Sequence, residues 1–228
     1  MMKNSFIIIG ILFSVALFSL PCFADAPVAV ILKNKGEVNL YKTATSGAET
    51  VKKGQVLYDG NKIRTGTSSF CAIKFIDDKS LLRLKENSSC VIEGKREKDH
   101  INKNIIVEVG SFFASLFKQK GQFLVTTPTS VASVKGTQFW VIQFTDGTTR
   151  YIALEGLLDL ANDAGRVLLR AGQTADFRSK TAPPEITLTN TDNIPDLEDE
   201  AGRRQTLEIY FKNNAGQMKT LRVDYQEK

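Results

Sequence analysis

The feature that most constrains this fold is a strongly apolar segment at residues 139–144, with the sequence Phe-Trp-Val-Ile-Gln-Phe. Side chains alternate along a β-strand, so the segment presents one set of side chains to each face of a sheet. The first set is Phe139, Val141 and Gln143, and the second is Trp140, Ile142 and Phe144. Because both sets are largely apolar, we expect neighbouring structure to cover both faces, which predicts a central strand.

The residues around this strand predict where it begins and ends. Pro128 cannot donate to a ladder from inside a sheet, and Gly136 bends easily, so we expect two extended pieces to meet at a corner within residues 125–144. The Asp146-Gly147 pair is a hairpin-turn sequence. It predicts that the chain returns as a strand over residues 148–154.

Short apolar segments separated by glycines continue on both sides of this stretch and predict an all-β domain. Residues 28–32 and 37–41 flank a Lys-Asn-Lys-Gly turn and predict a hairpin. Residues 70–76 and 81–84 predict a second hairpin. Residues 95–104 are polar and highly charged, which predicts a loop.

Two groups of residues within this pattern have a recognisable spacing. The first group is Phe123, Val125, Thr127, Pro128, Val134, Lys135, Gly136, Thr137, Phe139, Val141, Glu155, Gly156 and Gly172. The second group is Gly54, Leu57, Gly60, Ile63, Thr65, Ser69, Phe75, Asp78, Ser80, Leu82 and Leu84. With these residues the chain resembles the FecR-type domain family over residues 30–175. It departs from the family pattern at Lys135, where Arg is usual, and at residues 77–80, where Asp-Gly-Ser is more frequent.

The resemblance implies a fold and a class of function. It implies a twisted β-solenoid or a small β-sandwich for residues 27–178, and it favours a strand at residues 111–117, whose spacing fits a helix equally well. Regulators of the FecR type span the inner membrane, with a cytoplasmic segment that holds a sigma factor and a periplasmic domain that senses a loaded outer-membrane transporter. This chain resembles the periplasmic domain. We expect no cytoplasmic segment, because the long apolar run begins at residue 6.

The sequence pattern changes after the predicted domain. Residues 179–205 contain Pro183, Pro184 and an acidic cluster with few large apolar residues, which predicts a linker or a surface strap. Residues 206–228 alternate apolar and polar side chains around Asn-Asn-Ala-Gly, which predicts a C-terminal β-hairpin. An isolated hairpin is marginally stable in water, so we expect it to dock over the face that carries Trp140.

The N-terminal residues predict export. Lys3 precedes an apolar run over residues 6–20, and Pro21 and small residues follow it, which is the arrangement of a secretory signal peptide. The run is shorter than the stretch of about 20 apolar residues that a membrane span needs. We expect residues 1–24 to be removed and the mature chain to be periplasmic or otherwise exported, without a transmembrane segment. Cleavage after Ala26 and an uncleaved anchor are the alternatives.

Export changes the interpretation of Cys71 and Cys90, the two cysteines of the expected mature chain. A pair of cysteines in an oxidising compartment is compatible with a disulfide. Each cysteine also lies in line with apolar residues that face the core, where a free cysteine acts as a small hydrophobic residue. Both interpretations stay open, because a disulfide requires α-carbons within about 7 Å of each other and the sequence does not give that distance.

Residues that could support catalysis or bind a metal are scarce. His100 is the single histidine, and no cysteine or carboxylate lies around it at metal-ligand spacing. Asp77 and Asp78 are adjacent in a predicted turn, where such side chains point apart and are solvated. We therefore expect no enzyme activity, no cofactor and no metal. The formal net charge of +5 arises from scattered lysines and arginines, which argues against a nucleic-acid partner.

These observations favour an exported, non-catalytic binding module that mediates protein interaction or signalling in the cell envelope, by strand addition at a sheet edge. The alternative is an envelope scaffold that binds polysaccharide or peptidoglycan. The expected partner is accordingly an envelope protein or a glycan. Structural roles are expected for the motif residues Thr127, Pro128, Lys135, Gly136, Thr137, Phe139, Glu155 and Gly156.

Overall fold

The structure is a computed structural model that describes residues 26–43, 45–116, 119–197, 204–212 and 218–226. These residues form seventeen β-strands and one short 3-10 helix, Thr191–Asn193. The strands are β1 (Ala29–Lys35), β2 (Val38–Tyr41), β3 (Glu49–Thr50), β4 (Val56–Leu57), β5 (Asn61–Thr65), β6 (Phe70–Phe75), β7 (Leu81–Leu84), β8 (Ser89–Glu97), β9 (His100–Ser115), β10 (Phe123–Thr126), β11 (Val131–Gln143), β12 (Thr149–Asn162), β13 (Gly165–Arg170), β14 (Gln173–Phe177), β15 (Glu185–Leu188), β16 (Arg204–Lys212) and β17 (Met218–Gln226).

Fifteen of the strands belong to one sheet. Its main path runs β15, β14, β12, β11, β10, β9, β7, β6, β1 and β4, a branch of β8, β5, β2 and β3 leaves from β9, and β13 pairs with β12. β10 runs parallel to β9 within an otherwise antiparallel arrangement, so the sheet is mixed. The prediction of an all-β fold is confirmed. The choice between a β-solenoid and a β-sandwich stays a prediction.

The long strands β9, β11 and β12 each pair with different neighbouring strands along their length. The pairing of β11 with β12 shifts register between Lys135 and Gln138. Gly136 lies at this shift with a φ of 61°, a left-handed value that side chains with a Cβ rarely adopt. On β12, Gly156 has a φ of 76°, and a Cβ there would lie 2.5 Å from Thr137 Cγ2. The structure thus has a register shift within the stretch where a corner was predicted, and Gly156 lies at the same shift on β12.

The two faces of β11 enter two different hydrophobic clusters. Phe139 and Val141 are fully buried in a large core to which most strands of the large sheet contribute side chains. Trp140, on the opposite face, is fully buried in a smaller cluster with Phe113 and Ile152. The prediction that structure covers both faces of this strand is confirmed.

Two local predictions in the N-terminal half are wrong. β1 and β2 do not form a hairpin, since β1 pairs with β4 and β6 while β2 pairs with β3 and β5. β1 continues through the expected turn because its pairing with β6 extends to Lys35 opposite Phe70. Residues 95–104 form the end of β8 and the start of β9, which pair closely around a turn at Lys98. Their charged side chains fit a strand because residues 95–97 are exposed.

The remaining hairpin and strand predictions are confirmed. β6 and β7 pair as neighbours, and β11 and β12 pair around the turn at Gly147. The ambiguous segment forms a strand to Ser115 at the end of β9. Outside the large sheet, β16 and β17 pair with each other as the predicted C-terminal hairpin.

The segment between β14 and β16 contributes one further strand, β15, to the large sheet. β15 pairs with β14 along four residues, and the short 3-10 helix follows. The predicted docking of the hairpin side chains and the predicted signal peptide at residues 1–24 both lie outside the described residues. No helix within the described ranges has the length and apolar character needed to cross a membrane.

Candidate functional site

The Thr127-Pro128 motif forms a turn between β10 and β11 that a buried hydroxyl network fastens to β12. Thr127 Oγ1 accepts a hydrogen bond from Ser130 N at 3.1 Å, and the Ser130 and Tyr151 hydroxyls lie 3.0 Å apart. Thr149 Oγ1 donates to Gln143 Oε1 at 2.6 Å. Burial raises the pKa of Tyr151 to about 12, so its hydroxyl stays neutral. The network holds the turn.

The second half of the motif forms the bend in β11 and β12. Phe139 is fully buried against Phe112, with ring centroids 6.3 Å apart. Thr137 is buried at the bend, whereas Lys135 and Glu155 are exposed on either side of it. These residues thus shape the strands and do not converge on a binding site. Structural roles remain the interpretation that fits their positions.

Asp77 and Asp78 do not point apart into solvent as the sequence analysis predicted. Both carboxylates are buried and lie on one side of the buried Lys103 ammonium, whose Nζ is 2.8 Å from Asp77 Oδ2 and 2.7 Å from Asp78 Oδ2. Lys103 Nζ also donates to Ile101 O at 3.1 Å. The two carboxylates can be buried together because the Lys103 cation stabilises them in place of the water that would otherwise solvate them. The signal for it was Lys103 itself, at an inward position between Ile101 and Ile105.

The side chains of this ion cluster are almost completely removed from solvent, so the cluster acts as a structural clamp. Burial alone would raise the pKa of the Asp78 carboxyl, but hydrogen bonds from Lys103 and Ser80 outweigh burial and hold the pKa below its ordinary value. The Phe75 ring lies 5.4 Å from Lys103 Nζ and closes one side of the cluster. Removing one partner of a buried ion pair is costly because a charge is left uncompensated.

Cys71 and Cys90 are both buried in the large core and are free thiols in the structure. Burial raises the pKa of both thiols, that of Cys71 to about 12, so neither is a reactive thiolate near neutral pH. Their placement matches the interpretation as small buried hydrophobic residues. A disulfide between them stays a prediction.

His100 begins β9 and is partly exposed. Its Nδ1 lies 3.4 Å from Asp99 Oδ1, and its Nε2 lies 3.9 Å from Glu97 Oε2. Over the part of the chain that the structure describes, no group of three or more His, Cys, Asp or Glu side chains is arranged to hold a metal ion. The surroundings of His100 are those of a surface ion pair.

A shallow polar groove follows the outer faces of β2 and β5. Its volume is about 450 Å³, and Glu37, Asn39, Tyr41, Arg64 and Asn87 are among its lining residues. A neighbouring groove of about 360 Å³ shares the Tyr41 and Arg64 side chains. An aromatic ring beside amide, carboxylate and guanidinium groups can bind a polar ligand by stacking and hydrogen bonding.

The edge of the sheet at β15 offers a second surface. Thr189 N donates to Gly172 O at 2.8 Å, so in the alternating ladder Ile186 and Leu188 direct their backbone groups away from β14. All four residues of β15 are exposed, and Leu188 has 83% of its surface accessible. An exposed edge with apolar side chains is a template for pairing with another strand.

The third surface is the small cluster around Trp140, which the segment after β15 covers. Ile194 and Leu197 pack against this cluster and are themselves only partly buried. Lys85 Nζ donates to Asp196 O at 2.8 Å and fixes the same segment beside the cluster. The sequence pattern predicted the C-terminal hairpin as this cover, and that docking stays a prediction. The described cover comes from residues 194–197, which we call the strap.

Comparison with known families finds a match in the middle of the chain. A sequence model of the family described as FecR protein matches residues 61–159. The resemblance drawn from the motifs is therefore confirmed over these residues. The FecR family is a regulatory and envelope-associated kind of protein, which supports a signalling or regulatory role. No curated protein matches the chain.

Two crystal structures of candidate anti-sigma factors from Parabacteroides distasonis are similar to the chain. The first has 12% sequence identity and a TM-score of 0.50, with 64% of this chain and 66% of that chain covered. The second has 13% identity and a TM-score of 0.47, with coverage of 68% and 70%. The chain thus spans just under two thirds of the length of the first structure. At this identity, that likeness concerns the fold.

Proposed function

We propose that this protein is an exported, non-catalytic binding module that transmits a signal in the cell envelope by pairing with a strand of a partner protein. The observation that carries the proposal is the open edge at β15, within an all-β chain that matches the FecR family over residues 61–159. Strand addition obtains its affinity from main-chain hydrogen bonds and its specificity from alternate side chains. Ile186 and Leu188 provide both, since their outer backbone groups and apolar side chains are exposed.

The test is site-specific photo-cross-linking of the full chain in intact cell envelopes. A photoreactive residue replaces Leu188, and a matched control replaces the exposed Lys53, which lies away from this edge. We expect a single dominant protein adduct from position 188 and none from position 53. Equal labelling from both positions, or no protein adduct from position 188, would contradict the proposal.

A proline substitution separates strand addition from simple apolar contact. Ile186→Pro removes an outward N–H at a sheet edge, where proline is tolerated, and leaves the bonds from β15 to β14 in place. Ile186→Val retains the N–H and most of the side chain. We expect the adduct at position 188 to be lost with Ile186→Pro and kept with Ile186→Val. Loss with both variants would indicate that the side chain, not the ladder, makes the contact.

The polar groove favours the alternative function of an envelope scaffold that binds polysaccharide or peptidoglycan. Arg64 is exposed beside Tyr41 and suits a ligand that carries carboxylate groups. On this alternative, the protein stays with the peptidoglycan fraction and gives no protein adduct. Arg64→Ala and Tyr41→Ala then release it, whereas Ile186→Pro has no effect. These opposite responses separate the two functions.

A further inference from the structure

The face that carries Trp140 has the layout of a peptide-binding surface. Trp140, Phe113 and Ile152 form its buried floor, and the side chains of Ile142 and Leu154 pack around them. Two cations lie at its rim: Arg83 stands over the Phe113 ring at 5.8 Å, and Lys85 reaches the strap backbone. An apolar floor with a basic rim suits a segment that combines apolar side chains with acidic ones.

The strap already occupies this surface in the manner of a bound peptide. Ile194 and Leu197 are three residues apart and both contact the floor cluster, while Asp196 between them is exposed at the basic rim. The sequence continues as Glu198-Asp199-Glu200, which adds acidic residues to the same segment. The occupant therefore has the charge and the apolar spacing that the surface selects.

The strap leaves one requirement of the floor unmet. Among the described residues, the indole Nε1–H of the fully buried Trp140 has no hydrogen-bond acceptor. A buried donor without an acceptor carries a desolvation cost that a better-placed carbonyl would remove. Ile194 and Leu197 are only partly buried, so part of the apolar surface of the strap stays exposed to solvent. A competing segment can improve on both contacts.

We infer that the strap is an internal occupant of a docking surface for an acidic, extended segment of a partner protein, which carries two apolar side chains three residues apart and displaces the strap. The inference rests on the proposed function and names a second contact with the partner. Displacement exchanges one occupant for another of the same chemistry. A ligand shifts such an equilibrium only by its differential affinity, and the acceptor for Trp140 Nε1 supplies that difference.

The chain provides its own probe for this surface. A synthetic peptide of residues 190–200 is added to the full-length protein and to the full-length variant Ile194→Ala/Leu197→Ala. Trp140 is the single tryptophan, so its fluorescence and its one indole N–H resonance report binding directly. We expect the variant to show a red-shifted emission that the peptide reverses. We also expect it to bind the peptide at least tenfold more tightly than the unchanged protein does.

Controls separate specific docking from general stickiness. A peptide with serine at the positions of Ile194 and Leu197 should not bind, and Asp192→Ala, an exposed change on the 3-10 helix, should leave peptide affinity at the level of the unchanged protein. If the double variant does not fold, Leu197→Ala alone takes its place. High salt should weaken binding, because the rim contacts are electrostatic and exposed.

Two results would overturn the inference. The folded variant could fail to bind the peptide, or the variant and the unchanged protein could bind it equally well, which would show that the strap does not compete for the surface. Failure here with a retained protein adduct at position 188 would leave the proposed function standing. Loss of that adduct with intact peptide binding would contradict the proposed contact at β15 and leave the docking surface supported.

Discussion

Phe139 and Trp140 lie on opposite faces of β11 and are both fully buried, but they are held by different means. Phe139 belongs to a core built from strands throughout the large sheet, and the ladder fixes the strands around it. Trp140 belongs to a three-residue floor whose described cover includes two partly buried side chains from the strap. The inference drawn for this surface implies that full burial of a side chain does not require a firmly held cover. One face stabilises the fold, and the other is suited to exchange.

The buried ion cluster should give the largest effect on the firmly held side of the molecule. Lys103→Met leaves two buried carboxylates without the cation that they share. We expect the free energy of unfolding to fall by about 3–5 kcal/mol, measured by urea denaturation. Lys53→Met, at an exposed lysine, is the control and should be close to neutral. A loss below about 1 kcal/mol for Lys103→Met would show that water reaches the cluster.

A matched pair of leucine truncations compares the core with the strap most simply. Leu158 is fully buried in the large core, and Leu158→Ala should cost about 2–5 kcal/mol of unfolding free energy because it leaves a cavity. The same substitution at Leu197 removes a partly buried side chain at the surface. Circular dichroism during urea unfolding measures both. Equal losses would contradict the distinction between the two faces.

Acid should weaken the clamp before it affects the strap. The folded pKa of Asp78 lies below its unfolded value, so its contribution is fully present above an unfolded pKa of about 4 and is lost as the pH falls through the folded pKa. We expect stability to decline below about pH 4 in the unchanged protein. Asp78→Asn should reduce this decline. An unchanged acid profile in that variant would assign the decline to other carboxylates.

A substitution in the strap should have the smallest effect on stability and the largest effect on the environment of Trp140. Leu197→Ala should cost about 1 kcal/mol or less, because the side chain is only partly removed from water. The emission of Trp140 should nevertheless shift to the red. A large loss of stability, or an unshifted emission, would show that the strap is part of the core or does not shield the indole.

The sequence allowed the central features of the fold to be predicted, because they depend on local pattern. Alternation identified the strand around Phe139, and the glycine at 136 predicted its corner. The resemblance to the FecR family extended the prediction to most of the sheet, but not to β15. The first hairpin was predicted wrongly because the Lys-Asn-Lys-Gly signal is local, whereas β1 obtains its long pairing from β6, more than thirty residues away.

The candidate surfaces were harder to predict, because they depend on contacts between distant residues. Asp77 and Lys103 are 26 residues apart in sequence, and nothing local shows that they meet. The hairpin was predicted to cover Trp140 because it has the stronger apolar alternation, and its docking lies outside the described residues. Ile194 and Leu197 were not predicted as cover because they are isolated in a polar stretch. Two apolar residues three apart beside acidic ones were the available signal.

Native-state hydrogen exchange tests the central comparison most directly. The measurement compares the amides of Trp140 and Tyr151 in paired strands with the amide of Ile194, which donates to Thr191 O at 3.2 Å. We predict that Ile194 exchanges through local opening, at least a hundredfold faster than the strand amides, which exchange through global unfolding. Equal protection at all three amides would contradict the account, because the strap would then open only when the whole domain unfolds.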